Sequence, residues 1–539
     1  MNMLVKTNLN INNNSLQKKN RNNVSFNCGA GFVSGFMNLA QNNAAFSTGV
    51  VDVVGMVVPR TAIDAQRNKH ASTETFRRES MGTLTNNILP GFFAFGIAAA
   101  MQPFMKIQTK VWANSETMDL LKEAWDKSEN NTQKYVKNVL HGIEGLDGEK
   151  WNSLTNMSAE KRDKLVKKMT DLIEVEPDTT SNKGIMAKIK SYKEAKKGLK
   201  EVESLIGEEI KARNNIKVSW NDSTKKPLET SLEHLVRDIR DMGKHVFTQT
   251  VNKEISIDTA ISRLKKVNIT KSAGTLGILC AVDFGVQYIN RKITNKKTGK
   301  KGFVGYKDFE NGDCELKDSE RKRNLNIGKL IGVAALVGLN AVFIGRKNLL
   351  KKLEFKNAFA NLNQIRLLYS TTVAGRIIAS DDSNELRETC TRDFFSYLNW
   401  LVLGDFVTKS IAGKLDPTLL NNKDKEYKDR KGFDKVCHWV QDVSIKTHSE
   451  VLDIASGELN GDIKTKHSSL NKAIGAGLVY STLVLGIGIP VLNMILTNKK
   501  RDEELAARNL TATTAPRSTN NTLTTKNKVN NQLFAAFVK

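Results

Sequence analysis

Two segments of the chain are long enough to cross a lipid bilayer and contain no charged side chain. Residues 81–105 run for 25 residues without Asp, Glu, Lys or Arg, and residues 473–496 run for 24. A bilayer core about 30 Å thick is spanned by roughly 20 helical residues. Buried helices of a large soluble protein are the alternative, but helices of soluble proteins normally show a polar stripe. The two segments therefore predict an integral membrane protein.

Further apolar segments extend this prediction. Residues 326–345 form a third segment, in which Lys329 lies near one end and can reach the membrane interface. Residues 272–290 contain one charge, Asp283. Three weaker segments follow: 394–413 with Asp405 and Lys409, 44–59 with Asp52, and 358–380 with Arg366 and Arg376. We therefore predict five to seven spans.

Most of the remaining mass lies between residues 112 and 271. Apolar residues recur there three and four positions apart over 115–127, 158–173, 183–211 and 228–246, which is typical of amphipathic helices. Strand signals are scarce. The predicted fold class is all-α: a polytopic helical membrane bundle with an inserted extramembrane helical domain.

The two ends of the chain differ from the rest in composition. Residues 1–43 are Asn-rich and lack the apolar core and cleavage site of a signal peptide, so we predict no cleavable signal peptide. The predicted organisation is a disordered N-terminus (1–43), membrane helices (44–110), an extramembrane domain (111–271), a membrane helix (272–292), a basic loop (293–325), a connector membrane helix (326–346), membrane helices (358–413), an extramembrane loop (414–471), a membrane helix (472–497) and a disordered tail (498–539).

An internal repeat divides the membrane part into two halves. The segment Glu74-Thr-Phe-Arg-Arg-Glu79 recurs 314 residues later as Glu388-Thr-Cys-Thr-Arg-Asp393, and Arg60 corresponds to Arg376 if two residues are gapped. A second match joins residues 289–297 to 492–500, with Thr-Asn-Lys-Lys in both. We therefore predict two divergent repeats.

The number of spans decides how the two halves are oriented. If all seven segments cross, the chain crosses the membrane four times, in three spans and one connector, between the start of the first half and the start of the second. Both halves then start on the same side of the membrane and are parallel. If the weak leading segments do not cross, the halves are inverted. Both arrangements occur in the internal repeats of transporters.

Charged residues inside the apolar segments are the candidates for function. A charge at membrane depth is costly and marks an ion or proton pathway, or a structural ion pair. Asp52, Asp283 and Asp405 are the carboxylates, and Arg60 and Arg376 are their expected partners. Asp405 lies four residues before Lys409, a spacing that suits a structural pair.

The repeated motif contains two further pairs at a spacing of four residues. Glu74 with Arg78, and Glu388 with Arg392, lie on one helix face and predict salt bridges within each helix. The alternative is a gate or head-group site that uses one arginine from each half.

Lysine and arginine exceed aspartate and glutamate by 82 to 57, a net charge of +25. Part of this excess directly follows a span and predicts contact with anionic lipid head groups, or simply cytoplasmic retention of that loop. On that rule, residues 60–83, 291–325 and the tail are cytoplasmic. Nucleic acid is an unlikely partner because the charge is spread out. The residues of the lipid cluster are Arg291, Lys292, Lys296, Lys297, Lys300 and Lys301.

No enzyme motif is found. The five cysteines form no Cys-x-x-Cys pair, and Cys437, His438, His448 and His467 are too loosely spaced to predict a metal site. No cofactor is predicted. The leading hypothesis is binding or translocation of an ion, small solute or lipid at the interface of the repeats. The alternative is a non-catalytic membrane scaffold that recruits a protein partner through 111–271.

Overall fold

The computed structural model describes most of the chain between residues 44 and 514. The described residues are 44–109, 111–144, 146, 157–174, 185–210, 213, 216–219, 227–251, 255–299, 319–344, 349–422, 431, 432, 435, 439, 443–448, 450, 451 and 463–514. The predictions for 1–43, most of 300–318 and 515–539 therefore fall outside them. The chain divides into two compact units, Met1–Val491 and Leu492–Lys539, and the site described below lies in the first.

The described protein is mostly helical, and many of its long helices contain π-helical turns, in which one extra residue widens the turn. The helices of the first part are α1 (Ala44–Val50), π1 (Val51–Val57), α2 (Val58–Arg67), α3 (Lys69–Thr83), π2 (Leu84–Ile88) and α4 (Leu89–Met105). The elements α1, π1 and α2 form one continuous helix, and α3, π2 and α4 form another.

The stretch from residue 111 to 256 contains shorter helices and one small sheet. Its elements are α5 (Ser115–Asp126), α6 (Thr132–His141), α7 (Ala159–Glu174), α8 (Ile185–Ile210), β1 (Ile216–Val218), β2 (Leu228–Thr230), α9 (Leu232–Met242), π3 (Gly243–Phe247) and α10 (Thr248–Val251). The strands β1 and β2 pair antiparallel, with Lys217 opposite Glu229.

The second part returns to long helices. Its elements are α11 (Ile257–Thr298), α12 (Ser319–Phe343), α13 (Leu349–Lys352), α14 (Leu362–Ala379), α15 (Ser383–Thr389), π4 (Cys390–Phe394), α16 (Phe395–Leu398), π5 (Asn399–Gly404), α17 (Asp405–Leu415), a 3₁₀ turn (Pro417–Leu419), β3 (Leu420–Asn422), β4 (Val443–Ile445), α18 (Ile463–Ser481), π6 (Thr482–Gly488) and α19 (Ile489–Thr514). Strands β3 and β4 form a second antiparallel pair.

The predicted amphipathic helices are confirmed with small shifts of their ends. The predicted helices at 115–127, 158–173 and 183–211 correspond to α5, α7 and α8. The predicted helix at 228–246 begins only at Leu232, because Leu228–Thr230 pairs with β1 and Ser231 caps α9 through the main-chain N–H of His234. The helix α6 was not predicted.

One hydrophobic core gathers the residues between Val111 and Leu264. At its centre Trp125 stacks on Phe247 with ring centroids 5.0 Å apart, and Tyr135 packs edge-on against both rings. The side chains of this core come from the segment that precedes α5, from the elements α5 to π3, and from the start of α11. Its apolar residues are therefore buried in the usual manner of a soluble protein.

The long helices on either side have the opposite distribution of polarity. Large apolar side chains such as Phe92, Tyr288 and Leu330 are about 70% exposed, while charged and amide side chains lie inside. Water would not favour such an arrangement, but a lipid solvent does, because lipid tails cover the apolar surface and the polar groups satisfy one another inside.

Five of the described helices are long and apolar enough to cross a membrane. They are Ala45–Arg67, Lys69–Met105, Ile257–Thr298, Arg323–Ala341 and Thr465–Lys500. The predicted span at 44–59 was short in sequence, but its helix continues to Arg67. The predicted spans at 358–380 and 394–413 are not among the five.

Candidate functional site

A cavity lined by both apolar and charged side chains lies between the long helices, where π1, α2, α3, π2, α14 and the segment from π4 to π5 meet. Its volume is about 30 Å³, room for about two water molecules. Three carboxylates and two guanidinium groups line it, from Asp52, Glu79, Asp393, Arg60 and Arg376. All five side chains are buried.

Two arginines and two carboxylates form a closed set of ion pairs beside this cavity. Arg60 Nη1 lies 3.2 Å from Glu79 Oε1 and 3.6 Å from Asp393 Oδ1. Arg376 Nη1 lies 3.3 Å from the same oxygen of Glu79 and 3.0 Å from Oδ1 of Asp393. Each arginine therefore contacts both carboxylates, so buried charge is balanced by opposite charge on every side.

Residues in and beside the repeated motif form further ion pairs, which join the two helical hairpins, residues 44–105 and residues 362–415. Arg78 Nη2 lies 2.9 Å from Asp393 Oδ2, and Arg67 Nη1 lies 2.6 Å from Glu388 Oε1. Arg392 contacts Asp393 at 3.2 Å and Asp64 at 3.9 Å. Glu74 is also buried. The sequence predicted pairs within each helix, whereas these contacts of Arg78, Glu388 and Arg392 include partners on other helical segments.

Asp52 differs from the other carboxylates of the cavity. Its Oδ2 accepts a hydrogen bond from Asn87 Nδ2 at 2.8 Å, while its Oδ1 has no hydrogen-bond partner and the residue is 1% exposed. Among the described residues no cation lies within ion-pair distance of Asp52. Asn87 Nδ2 also donates to the Tyr369 hydroxyl at 3.1 Å, and Asn87 Oδ1 accepts from Thr48.

Asp283 lies on α11, outside the cavity lining, and resembles Asp52 in its contacts. Its Oδ1 accepts a hydrogen bond from Thr85 Oγ1 at 2.8 Å, and its Oδ2 has no partner. Asn86 Nδ2 donates to Thr372 Oγ1 at 3.2 Å. Three adjacent side chains of π2 therefore donate hydrogen bonds to three different places. Thr85 donates to Asp283, Asn86 donates to Thr372 of α14, and Asn87 donates to Asp52.

This polar run of π2 was missed in the sequence, where it lies inside an uncharged segment. Thr85, Asn86 and Asn87 are three adjacent hydrogen-bonding side chains in a span that is otherwise mostly apolar. Such a run is the signal that could have revealed it, because amides in a membrane helix need partners as charges do.

Asp405 lies apart from the other candidates. Its side chain is 55% exposed and forms an ion pair with Lys409 one helical turn later. The structural alternative for Asp405 therefore agrees with its position. Of the five sequence candidates, Asp52, Arg60 and Arg376 meet in one cavity, and Asp283 lies on the neighbouring side of π2.

The basic cluster that follows residue 290 is heterogeneous. Arg291 forms ion pairs with Glu385 at 2.6 Å and Asp381 at 3.2 Å, so its charge is engaged within the protein. Lys292, Lys296 and Lys297 are exposed near the end of α11. Lys300 and Lys301 lie outside the described residues.

The 111–264 core is joined to the long helices through the segment that precedes α14. The carboxylate of Glu354 accepts hydrogen bonds from the Ser115 main chain at 2.8 Å, the Ser115 hydroxyl at 2.6 Å and Asn268 Nδ2 at 3.0 Å. Nearby, Asn357 Nδ2 lies 3.2 Å from His234 Nε2. This junction holds the start of α14 against α5 and α9.

Titratable groups of α9 near this junction are strongly perturbed. Burial, reinforced by the positive charge of Arg237, lowers the pKa of His234 to about 3. Burial raises the pKa of Asp238 to about 6, although Arg237 counteracts this shift. At neutral pH His234 is therefore uncharged.

Groups of three or more histidine, cysteine, aspartate or glutamate side chains that could hold a metal ion are not found among the described residues. The rings of His448 and His467 lie 5.3 Å apart, while Cys437 and His438 fall outside the described part of the chain. Comparisons with protein-family models, with curated proteins and with solved structures give no match to this chain.

Proposed function

We propose that this chain is a multi-pass membrane protein that binds and translocates a small ion through the cavity at Asp52. The observation that carries the proposal is the reversal of polarity: carboxylates and guanidinium groups line an internal cavity, while the outward faces of the same helices are apolar. Charged groups retained inside a membrane bundle mark ion or proton pathways.

The contacts at the two ends of the long helices support seven crossings rather than five. At one end the hairpin tip at Arg67 binds Glu388, and Arg291 binds Glu385. At the other end Ser115 binds Glu354, and the main-chain N–H of Arg213 donates to Glu450 at 3.4 Å. The segment from α14 to α17 therefore runs from the second end to the first and returns, as α1 to α4 do.

Seven crossings make the two halves parallel, and local geometry supports their descent from a duplication. Asn68 caps α3 and Asp382 caps α15, and these residues are 314 positions apart. The π-helical turns π2 and π5 begin at Leu84 and Asn399, about four to five helical turns after these caps, and the second half has an additional π-helical turn, π4, between its cap and π5.

Packing between the halves follows the same symmetry. The helix α11 packs on α4 of its own half and on α14 of the other. In turn, α18 packs on α17 of its own half, and π6 packs on π1 and α2 of the other. Under this proposal the matched pairs Arg60 and Arg376, and Glu79 and Asp393, surround the pseudo-two-fold axis.

The size of the cavity limits which ligands it can hold. Room for about two water molecules suits a proton or a small ion, whereas a lipid or an organic solute requires a much larger pocket. With three carboxylates against two guanidinium groups in the lining, the cavity favours a cation over an anion.

Reconstitution of the purified full-length chain in liposomes tests the proposal. We expect proton or alkali-cation flux above that of empty liposomes, and a loss of at least about tenfold in Asp52→Asn and Asp283→Asn. Asp405→Asn is the matched control and should keep the flux, because Asp405 is exposed and remote. The size-exclusion profile in detergent verifies that each variant is folded.

Absence of flux for every ion tested, with a folded wild-type protein, would contradict translocation. The second candidate, a membrane scaffold that recruits a protein partner, would then be favoured. Its supporting observation is the separate hydrophobic core between Val111 and Leu264, which has the ordinary polarity of a water-soluble domain.

A further inference from the structure

We propose that the ion bound at Asp52 is a proton, taken up by its free carboxylate oxygen Oδ1 from water in the cavity. This inference rests on the proposed function and names its ion. It starts from the contrast between Asp52 and the two other carboxylates of the same cavity. Glu79 and Asp393 are each contacted by the guanidinium groups of Arg60 and Arg376.

Asp52 has far less compensation than those neighbours. Its hydrogen-bond donors are neutral: Asn87 Nδ2 at 2.8 Å and, nearby, the hydroxyl of Thr83. Oδ1 is buried and unpartnered. A carboxylate that keeps a full charge in such surroundings costs several kcal/mol, so neutralisation by a proton or by a cation is favoured.

The groups that face Asp52 favour the proton over a metal cation. The guanidinium groups of Arg60 and Arg376 line the same cavity and repel a second cation there. A proton requires one lone pair of Oδ1, whereas a dehydrated metal cation requires several oxygen ligands at once. The other titratable groups that line this cavity belong to the neighbouring helices and are Arg60, Glu79, Tyr369, Arg376, Asp393 and Tyr397. The turn π6, which packs on π1, has no titratable side chain.

The contacts of Asn87 hold the carboxylate in position for this role. Asn87 is fixed by Thr48 on one side and by the Tyr369 hydroxyl on the other, so its Nδ2 is held toward Asp52 Oδ2. Oδ1 is thereby left as the free oxygen of the carboxylate. Protonation of Oδ1 would also give it a donor toward cavity water.

Infrared spectroscopy of the purified full-length chain in detergent tests the inference without a reagent that must enter the cavity. A protonated carboxyl group has a C=O stretching band that an ionised carboxylate lacks. In the difference between the wild type and Asp52→Asn we expect this band at a pH of about 6, and a fall of about tenfold or more as the pH is raised to about 9. The same difference for Glu79→Gln is the control and should contain no such band, because Arg60 and Arg376 keep Glu79 ionised.

Two further conditions make the test specific. Replacement of H₂O by D₂O should shift the Asp52 band to lower frequency, as an exchangeable O–H group requires. Saturating NaCl at constant pH should leave the band unchanged, because the site takes a proton. Loss of the band in Na⁺ would instead identify a metal-cation site, and absence of the band at every pH would show a permanently ionised carboxylate; either result overturns the inference.

The result is independent of the flux measurement. An ionised Asp52 in a protein that conducts ions would refute the proton site and leave the proposed translocation standing. A protonated Asp52 in a protein without flux would refute translocation, and with it the role of this proton in transport.

Discussion

Arg60 and Arg376 each contact both Glu79 and Asp393, so removal of one carboxylate leaves two buried guanidinium groups with a single carboxylate between them. An uncompensated buried charge is much more costly than the loss of a surface ion pair. Asp393 compensates more positive charge than Glu79 does, because Arg78 and Arg392 contact it as well.

We therefore expect Asp393→Asn to lower the free energy of unfolding by about 3–5 kcal/mol. The matched variant Asp405→Asn breaks an exposed pair with Lys409 and should cost less than about 1 kcal/mol. Thermal unfolding of both variants in the same detergent measures the difference. Equal stability of the two variants would contradict the assignment of Asp393 to a buried network.

The perturbed histidine of α9 predicts a specific effect of pH. The folded state keeps His234 neutral down to a pKa of about 3, while an unfolded chain binds the proton below about 6.5. The contribution of His234 is therefore present above pH 6.5 and is lost as the pH falls. Asp238 acts in the opposite direction, since its pKa of about 6 exceeds that of an unfolded aspartate.

His234→Gln isolates the histidine. From pH 7.5 to 5 we expect the variant to gain about 1–2 kcal/mol relative to the wild type, whatever Asp238 contributes to both. Hydrogen exchange of the slowest amides of α9 provides the measurement. Parallel pH dependences in the two proteins would show that His234 is accessible to protons in the folded state.

Residue-level prediction from the sequence succeeded where a charge interrupted an apolar segment. Asp52, Arg60 and Arg376 stood out for that reason, and they share one cavity. Glu79 and Asp393 were recognised as matching residues of the repeat but not as site residues, because they precede their apolar segments and resemble ordinary helix flanks. Their burial arises from packing between the two hairpins, which no local pattern encodes.

At the scale of elements, the π-helical turns π6 and π1 make one of the close contacts between the long helices. A Cβ atom on Gly486 of π6 would lie 2.5 Å from the carbonyl oxygen of Gly55 in π1 and 2.8 Å from a ring carbon of Pro59. The contact depends on the absence of side chains, since neither a main-chain oxygen nor a proline ring can move aside cheaply.

Gly486→Ala should therefore separate π6 from π1 and destabilise the protein by about 1–3 kcal/mol. Gly475→Ala, in α18, is the control: a Cβ there meets no atom within 4 Å, and alanine is the better helix former. Melting temperatures in detergent compare the two. A neutral Gly486→Ala would contradict the close contact of π6 with π1.

Small residues spaced four apart differ in what they pack against. Gly328 and Gly332 of α12 face neighbours, the side chains of Leu386 and Ile377. Ala273, Gly277 and Ala281 of α11 have the same spacing, yet these three residues are exposed. Spacing alone indicates a smooth helix face and does not say which side of the helix is covered.

At the scale of the whole molecule, length and charge predicted the helical class and the apolar helices. They could not decide whether α14 and the run from α15 to α17 cross the membrane, because Arg366, Arg376, Asp405 and Lys409 reduce their apolar character. Arg376 is nevertheless compensated by carboxylates from both halves. A hydropathy average counts such a charge as unfavourable for membrane insertion, although an ion-pair partner removes much of that free-energy cost.

In the proposed topology the two halves are parallel, with Arg67 and Ser383 on one side of the membrane and the 111–264 core on the other. The most direct test of this topology is labelling of intact cells by a membrane-impermeant thiol reagent, in a cysteine-free protein with single cysteines in place of Thr73, Ser383 or Lys161. We predict that Thr73→Cys and Ser383→Cys are labelled from the same side, and Lys161→Cys from the opposite side. Labelling of Ser383→Cys from the side of Lys161→Cys would show that α14 does not cross, and would contradict the account.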